Sequence, residues 1–251
     1  MNHIILIIAF CALLLGANAQ ETIELDGMKI KKSILKPGRE VKLNAKDYKL
    51  NGKHDIDSMD KNKQIGSVKV AVSKNKKAYG LSEEYDVRST ELPFSNLKFY
   101  DEKGNKKWEK NLKDRSPGYS YLSDDGKHWM MHIVNHNHEI DLSTYSLVVF
   151  NDLGEIVLEV DSLAEMRVAS SKDLICYKRK TDLNDYSDQI NEFYCYDMKD
   201  NKIWRKAYKE KVYVDPASLN GDFIIAYFND SYILYNRHGN EILKTTSDVF
   251  E

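Results

Sequence analysis

The chain has 251 residues, 30% of them charged and 42% hydrophobic, with 37 Lys and Arg against 39 Asp and Glu for a formal charge of −2. That composition excludes collagen-like, coiled-coil and wholly disordered chains, and the near-neutral balance supplies no basic field to hold a phosphate backbone, which excludes nucleic acid as the main partner. The count of 16 Tyr against 8 Phe and 3 Trp, with only 4 Pro, leans towards β structure.

Residues 4–15 form one uncharged apolar run, followed by Gly16-Ala17-Asn18-Ala19 before Gln20. Ala17 and Ala19 give the small-x-small pattern of a cleavage site, so residues 1–19 read as an export signal. The leader lacks a Lys or Arg near Met1, and the alternative is an uncleaved anchor. No later stretch reaches the ~20 apolar residues of a membrane helix, so the expectation is a periplasmic or secreted protein with no integral membrane segment after cleavage.

Beyond the leader the sequence repeats. In Tyr100-Asp101-Glu102-Lys103-Gly104-Asn105-Lys106-Lys107-Trp108 an aromatic is followed by Asp or Asn, then Gly four residues on and a bulky apolar residue eight on. Phe150-Asn151…Gly154…Leu158, Tyr196-Asp197…Asp200…Trp204 and Tyr235-Asn236…Gly239…Leu243 repeat it, with the aromatic recurring after 50, 46 and 39 residues. A weaker copy, Tyr48…Gly52…Ile56, lies upstream. Asp or Asn caps the first position of a type I turn, and Gly takes the left-handed conformation that closes a hairpin with a bulge. In the third copy Asp200 is expected to fill the glycine's place.

A second tight turn precedes each hairpin: Ser73 to Lys77, Ser123-Asp124-Asp125-Gly126, Ser171-Lys172-Asp173 and Ser218-Leu219-Asn220-Gly221. Each unit therefore reads as four strands in about 40–50 residues, the length of a β-propeller blade. Runs such as Leu147-Val148-Val149-Phe150 and Tyr232-Ile233-Leu234-Tyr235 are apolar at consecutive positions, as in strands buried on both faces. The predicted fold is all-β: a β-propeller of four-stranded antiparallel blades over residues 67–251, with blades at about 67–113, 118–160, 164–209 and 212–246. Residues 20–66 would form an N-terminal segment, a partial or fifth blade. A β-sandwich or an elongated repeat stack is the alternative arrangement.

The Asp/Asn-x-x-Gly-x-x-x-Trp/Leu hairpin and the preceding Ser-x-Asp/Asn-Gly turn resemble those of bacterial extracytoplasmic β-propellers of the PQQ-like and WD40-like kinds. The resemblance covers residues 67–246 and implies an architecture, not an activity. It departs from quinone-dependent dehydrogenases, having no vicinal cysteine pair and no matching cofactor residues, and it carries no catalytic residue across.

Both kinds of tight turn fall on one rim of the blades, and the long, individual connections Ser82 to Ser95, Asn135 to Thr144 and Arg179 to Asn191 fall on the other. Ligands are expected on that second rim. There, His136 and His138 form a His-x-His half-site that zinc would need two further ligands to complete; Glu139 or Asp141 supplies one. If Asn229-Asp230 is a two-residue turn, Ile225 faces Leu234, and aligning the third unit on the fourth makes Cys176 face Cys195. That geometry leaves open a disulfide or two buried thiols in an exported chain. No nucleophile elbow, phosphate loop or dinucleotide fingerprint is present. The sequence therefore reads as an exported, non-enzymatic protein that binds a protein, peptide or glycan through its long-loop rim, with no cofactor. The rival class is an extracytoplasmic hydrolase or lyase, metal-assisted through His136 and His138, and a third reading is a scaffold that completes its ring by self-association.

Overall fold

A computed structural model describes residues 22–43, 64–86, 94–113, 115–137, 142–179, 192–218 and 221–246. The leader, the Tyr48 copy of the repeat and His138 lie outside them. The chain opens with a hairpin of β1 (Thr22–Leu25) and β2 (Met28–Lys31), joined by Asp26-Gly27 at φ 51° and 77°. Asp-Gly with two positive φ values is the two-residue turn whose twist matches flanking strands. Alternation does the rest: Ile23, Leu25, Met28 and Ile30 are buried, while Thr22, Glu24, Lys29 and Lys31 face outwards.

Four antiparallel sheets follow. Sheet I contains β3 (Glu40–Leu43), β4 (Gln64–Val72), β5 (Ala78–Asp86), β6 (Phe94–Asp101) and β7 (Lys106–Lys113). Sheet II is β8 (Arg115–Leu122), β9 (His128–Asn137), β10 (Leu142–Asn151) and β11 (Ile156–Val160). Sheet III is β12 (Leu163–Val168), β13 (Leu174–Arg179), β14 (Glu192–Asp197) and β15 (Lys202–Ala207). Sheet IV is β16 (Tyr213–Pro216), β17 (Phe223–Tyr227), β18 (Ser231–Asn236) and β19 (Glu241–Thr246). These are propeller-type blades, each a meander of consecutive strands. Within the segment 20–66, the described residues supply the hairpin and β3, which adds a fifth strand to sheet I beside β4.

The turn chemistry is visible atom by atom. The Asp101 carboxylate accepts the backbone N–H groups of Lys103 and Asn105, each at 2.9 Å; Asn151 and Asn236 do the same for their own turns. Sheet III departs from the template. Its turn is one residue longer in register, pairing Asp197 with Lys202, and Asn201, not Asp200, takes the left-handed conformation at φ 51°. The preceding tight turn of sheet III is likewise shifted: it closes from Lys172 N–H to Ala169 O at 2.9 Å, so Ala169 rather than Ser171 holds the place of Ser73 and Ser123.

The sheets pack face to face in chain order. The hairpin covers one face of sheet I through Ile23, Leu25, Met28 and Ile30 against Val68, Val70, Tyr79 and Leu81. Sheet I meets sheet II through Leu97, Phe99, Trp129, Val148 and Phe150. Sheet II meets sheet III through Met130, Leu147, Val149, Ile175 and Tyr196, and sheet III meets sheet IV through Cys176, Phe193, Val214, Ile224 and Tyr235. Backbone bonds tie neighbouring tight turns together, Asn75 N–H to Asp124 O and Asp124 N–H to Ser171 O, both 3.1 Å.

In sheets I, II and III the bulky residue eight positions after the repeat's aromatic faces the next sheet. A Cβ added at Gly154 would lie 2.9 Å from Trp108, and one at Gly239 would lie 2.6 Å from Trp204. The glycine therefore serves two purposes, a positive φ and room for the preceding indole. Sheet III needs no such glycine, because sheet II carries Leu158 where sheets I and III carry Trp. The hairpin is fixed at its turn by charge: Lys98, 5% exposed, bonds Glu83 at 2.9 Å and also the Asp26 carboxylate.

Gly239→Ala is expected to lower stability by about 2–3 kcal/mol, combining left-handed strain with a clash against Trp204. In Gly239→Ala/Trp204→Leu the steric part returns and the conformational part does not. Urea unfolding of the three proteins measures both.

Candidate functional site

The long-loop rim of sheet II is built from the two longest strands, β9 and β10, paired over ten residues from His128↔Asn151 to Asn137↔Leu142. Midway along this ladder three aromatic rings line up across three strands. Tyr119 of β8 lies 6.4 Å from His132 of β9, which stacks on Tyr145 of β10 at 5.0 Å and 24°. Tyr119 is 69% exposed and Tyr145 42% exposed.

Tyr119 reaches the row because β8 breaks register between Pro117 and Ser120. A bulge re-aims the side chains it displaces, and this one is held from sheet I. The Lys69 ammonium donates to the carbonyls of Pro117 and Gly118 at 3.1 and 3.2 Å and to Glu84 at 2.7 Å. Ser120 donates to Glu40, whose carboxyl burial pushes up despite that bond. Gly118 lets the His132 ring lie against the strand, since a Cβ there would sit 2.9 Å from Nδ1. Partial burial lowers the His132 pKa, so the ring is neutral at pH 7. The result is an uncharged aromatic strip with phenol and imidazole polar tips, suited to stacking and to single hydrogen bonds.

His136 sits on β9 opposite Ser143, whose Oγ is 3.4 Å from Nδ1. Its expected companion His138 lies outside the described residues, as do Glu139 and Asp141. Among the described residues one other group has metal-ligating side chains within reach of each other, Asp197, Asp200 and His238. Its chemistry does not suit a cation. Asp197 already receives the Arg237 guanidinium at 2.5 and 2.7 Å, so a metal there would face a buried positive charge.

That arginine ties sheet IV to sheet III. Besides Asp197 it reaches Asp173 Oδ1 at 3.2 Å and the Asp173 carbonyl at 3.0 Å, while Lys199 bonds the same carboxylate at 2.6 Å. Burial alone would raise the Asp173 pKa, but the bonds from Lys199 and Ser171 and the Arg237 charge hold it below the usual carboxylate value. Cys176 and Cys195 are directly opposed on β13 and β14, with Cα atoms 4.2 Å and sulfurs 2.26 Å apart. The register that opposes them matches Ile225↔Leu234 in sheet IV, where Phe228 N–H bonds Ser231 O across the short turn.

The aromatic row is the feature that sequence reasoning missed. Its signals were Pro117-Gly118, a bulge marker inside a strand, and the alternation His132, Val134, His136.

No family model matches the sequence, and no curated protein matches it. Similar solved structures are propellers. The β-propeller domain of the Trilobed protease from Pyrococcus furiosus shares 10% identity over 76% of this chain and 58% of its own, at a TM-score of 0.42. A putative TolB from Agrobacterium tumefaciens shares 13% over 70% of this chain and 62% of its own, at 0.30. Pyrococcus horikoshii acylaminoacyl peptidase shares 13% over 70% and 32%, at 0.36. The chain thus spans from about a third to three-fifths of the length of these proteins.

Two outcomes are expected. Thiol titration of unfolded, non-reduced protein finds no free thiol at Cys176 and Cys195, and reduction costs about 3 kcal/mol, from closing a loop over a separation of 19 residues. Asp173 has a depressed folded-state pKa, so its contribution to stability is full above its unfolded pKa of about 4 and is lost as pH falls through the lower folded value. Asp173→Asn therefore flattens the acid limb of the stability curve below about pH 4 and leaves its neutral-to-alkaline shape unchanged.

Proposed function

We propose that this chain is an exported, non-enzymatic propeller-type protein that binds a protein, peptide or glycan on its long-loop rim. The observation that carries the reading is the row Tyr119, His132 and Tyr145: two exposed phenol rings flanking a half-buried imidazole, mounted on paired strands. Solvent exposure of such rings has a hydration cost that folding alone does not require, and binding sites concentrate where side chains project from a rigid frame. The leader over residues 1–19 and the resemblance to bacterial extracytoplasmic propellers support export, and the paired Cys176 and Cys195 suit an oxidising compartment.

Retention on immobilised polysaccharides and on peptide arrays tests this. The wild-type chain is expected to be retained on at least one class of surface, and Tyr119→Ala/Tyr145→Ala to lose that retention while keeping its thermal midpoint. Equal retention of the variant would overturn the site. Metal content of protein purified without a histidine tag decides against the rival class: no stoichiometric metal is expected. One zinc per chain, lost in His136→Ala/His138→Ala, would replace this reading with a metal-assisted hydrolase or lyase.

A further inference from the structure

The first tight turn of each sheet closes on a residue in the left-handed conformation. In sheets II and IV that residue is glycine, Gly126 at φ 74° and Gly221 at φ 70°. Sheets I and III place lysine there instead, Lys76 at φ 60° and Lys172 at φ 56°. A side chain in that region is strained, and strained residues cluster where a ligand is held. Lys172 has a contact of its own, its ammonium standing 5.0 Å from the centre of the Tyr121 ring. Lys76 lines a cavity of about 270 Å³.

The cavity lies between that turn, the turn over residues 101–104 and the segment 32–37 that follows the N-terminal hairpin. Its inner wall is apolar: Leu35, Val72 and Tyr79 belong to the buried cluster beneath the hairpin, and Pro37 stands beside them. The rest of the lining is charged, Lys32 and Lys76 against Glu102. Hydrogen bonds fix all three walls. Gly38 N–H bonds Val72 O at 2.7 Å, Leu35 N–H bonds Lys32 O at 3.2 Å, and Lys76 N–H bonds Ser73 O at 3.0 Å. Asp101 caps the turn that carries Glu102.

We propose that this cavity binds a free α-amino acid with a large apolar side chain. Two ammonium groups call for a carboxylate, and Glu102 repels a ligand that brings only that. An α-amino acid carries a carboxylate and an ammonium on one carbon, so it satisfies all three charges with charge-assisted bonds. Its side chain then covers Leu35, Val72 and the Tyr79 ring. A volume just below the ~300–1,000 Å³ of sites for drug-sized ligands suits a molecule of that size. The cavity belongs to the tight-turn end of sheet I and makes no use of the aromatic row of sheet II.

Saturation-transfer NMR titration of the protein with L-leucine and L-phenylalanine tests the proposal. At least one should bind saturably at sub-millimolar concentration. Analogues of that one lacking the amine (isocaproate, hydrocinnamate) or the carboxylate (isoamylamine, phenethylamine) should bind at least about tenfold more weakly. Lys76→Gly installs the residue of sheets II and IV, so it should keep or raise the thermal midpoint while weakening the amino acid about tenfold. Glu102→Gln should narrow the gap between the amino acid and its amine-free analogue. No binding of either amino acid up to ~10 mM, tenfold past a millimolar affinity, would overturn the proposal. So would analogues that bind as tightly as the parent, an affinity that Lys76→Gly leaves unchanged, or a gap that Glu102→Gln leaves as wide.

Discussion

Each sheet in this protein is stabilised by the sheet beside it, and the contact that fixes the spacing is a large side chain meeting a residue with no side chain. The indoles of Trp108 and Trp204 stand off their own hairpins and come to rest against Gly154 and Gly239 of the next. Gly80 accommodates Trp129 in the same way, because a Cβ there would lie 2.5 Å from the ring. Phe99 stacks parallel on Trp108 at 5.3 Å, and Trp108 lies 5.8 Å from Trp129. Burying rings of this size supplies most of the favourable energy of such an interface, and it does so only where the facing backbone leaves room. At Gly154 and Gly239 the absent side chain matches the preceding tryptophan, while Gly104 instead gives way to the Glu24 carbonyl of the N-terminal hairpin.

Charge complements that packing at the margins of the sheets. Lys98 with Glu83 and Asp26, and Arg237 with Asp173 and Asp197, each join elements distant in sequence. A buried ion pair contributes little net stability over an apolar replacement, yet removing one partner leaves the other uncompensated. These networks accordingly select one docking geometry more than they add to its depth. Arg237 illustrates the point: its carbonyl accepts the Trp204 indole N–H at 2.8 Å, so the residue that locks the charges also orients the ring beneath Gly239.

The fold was legible where its determinants are local. Asp101, Asn151 and Asn236 cap their turns with their own side chains, and a four-residue pattern suffices to reveal that. The opposition of Cys176 and Cys195 followed from counting out of the short Asn229-Asp230 turn. What escaped was set at long range or by a competing turn. The Asp26-Gly27 hairpin carried a readable signal but lay outside the repeat. Asn201 displaced Asp200 because the turn of sheet III gained a residue, which the aligned spacing concealed. The candidate site was least legible of all: Tyr119 is aimed by a bulge whose carbonyls are held by Lys69, 48 and 49 residues away.

That dependence links the candidate site to the stack itself. Lys69 is carried by β4 of sheet I, while the carbonyls it binds and the rings it positions belong to sheet II. Glu40, on the added strand β3, holds the same bulge through Ser120. The aromatic row thus has its shape only when the first two sheets are docked, and their docking in turn rests on Trp108, Trp129 and the hairpin that closes the far face of sheet I. A rigid rim is what a binding surface made of a few exposed rings requires, since any freedom left in the rings must be given up when a ligand is bound. The N-terminal hairpin and β3, which stand outside the repeat, therefore act on the site without touching a ligand: they complete the frame that holds Tyr119 in line with His132 and Tyr145.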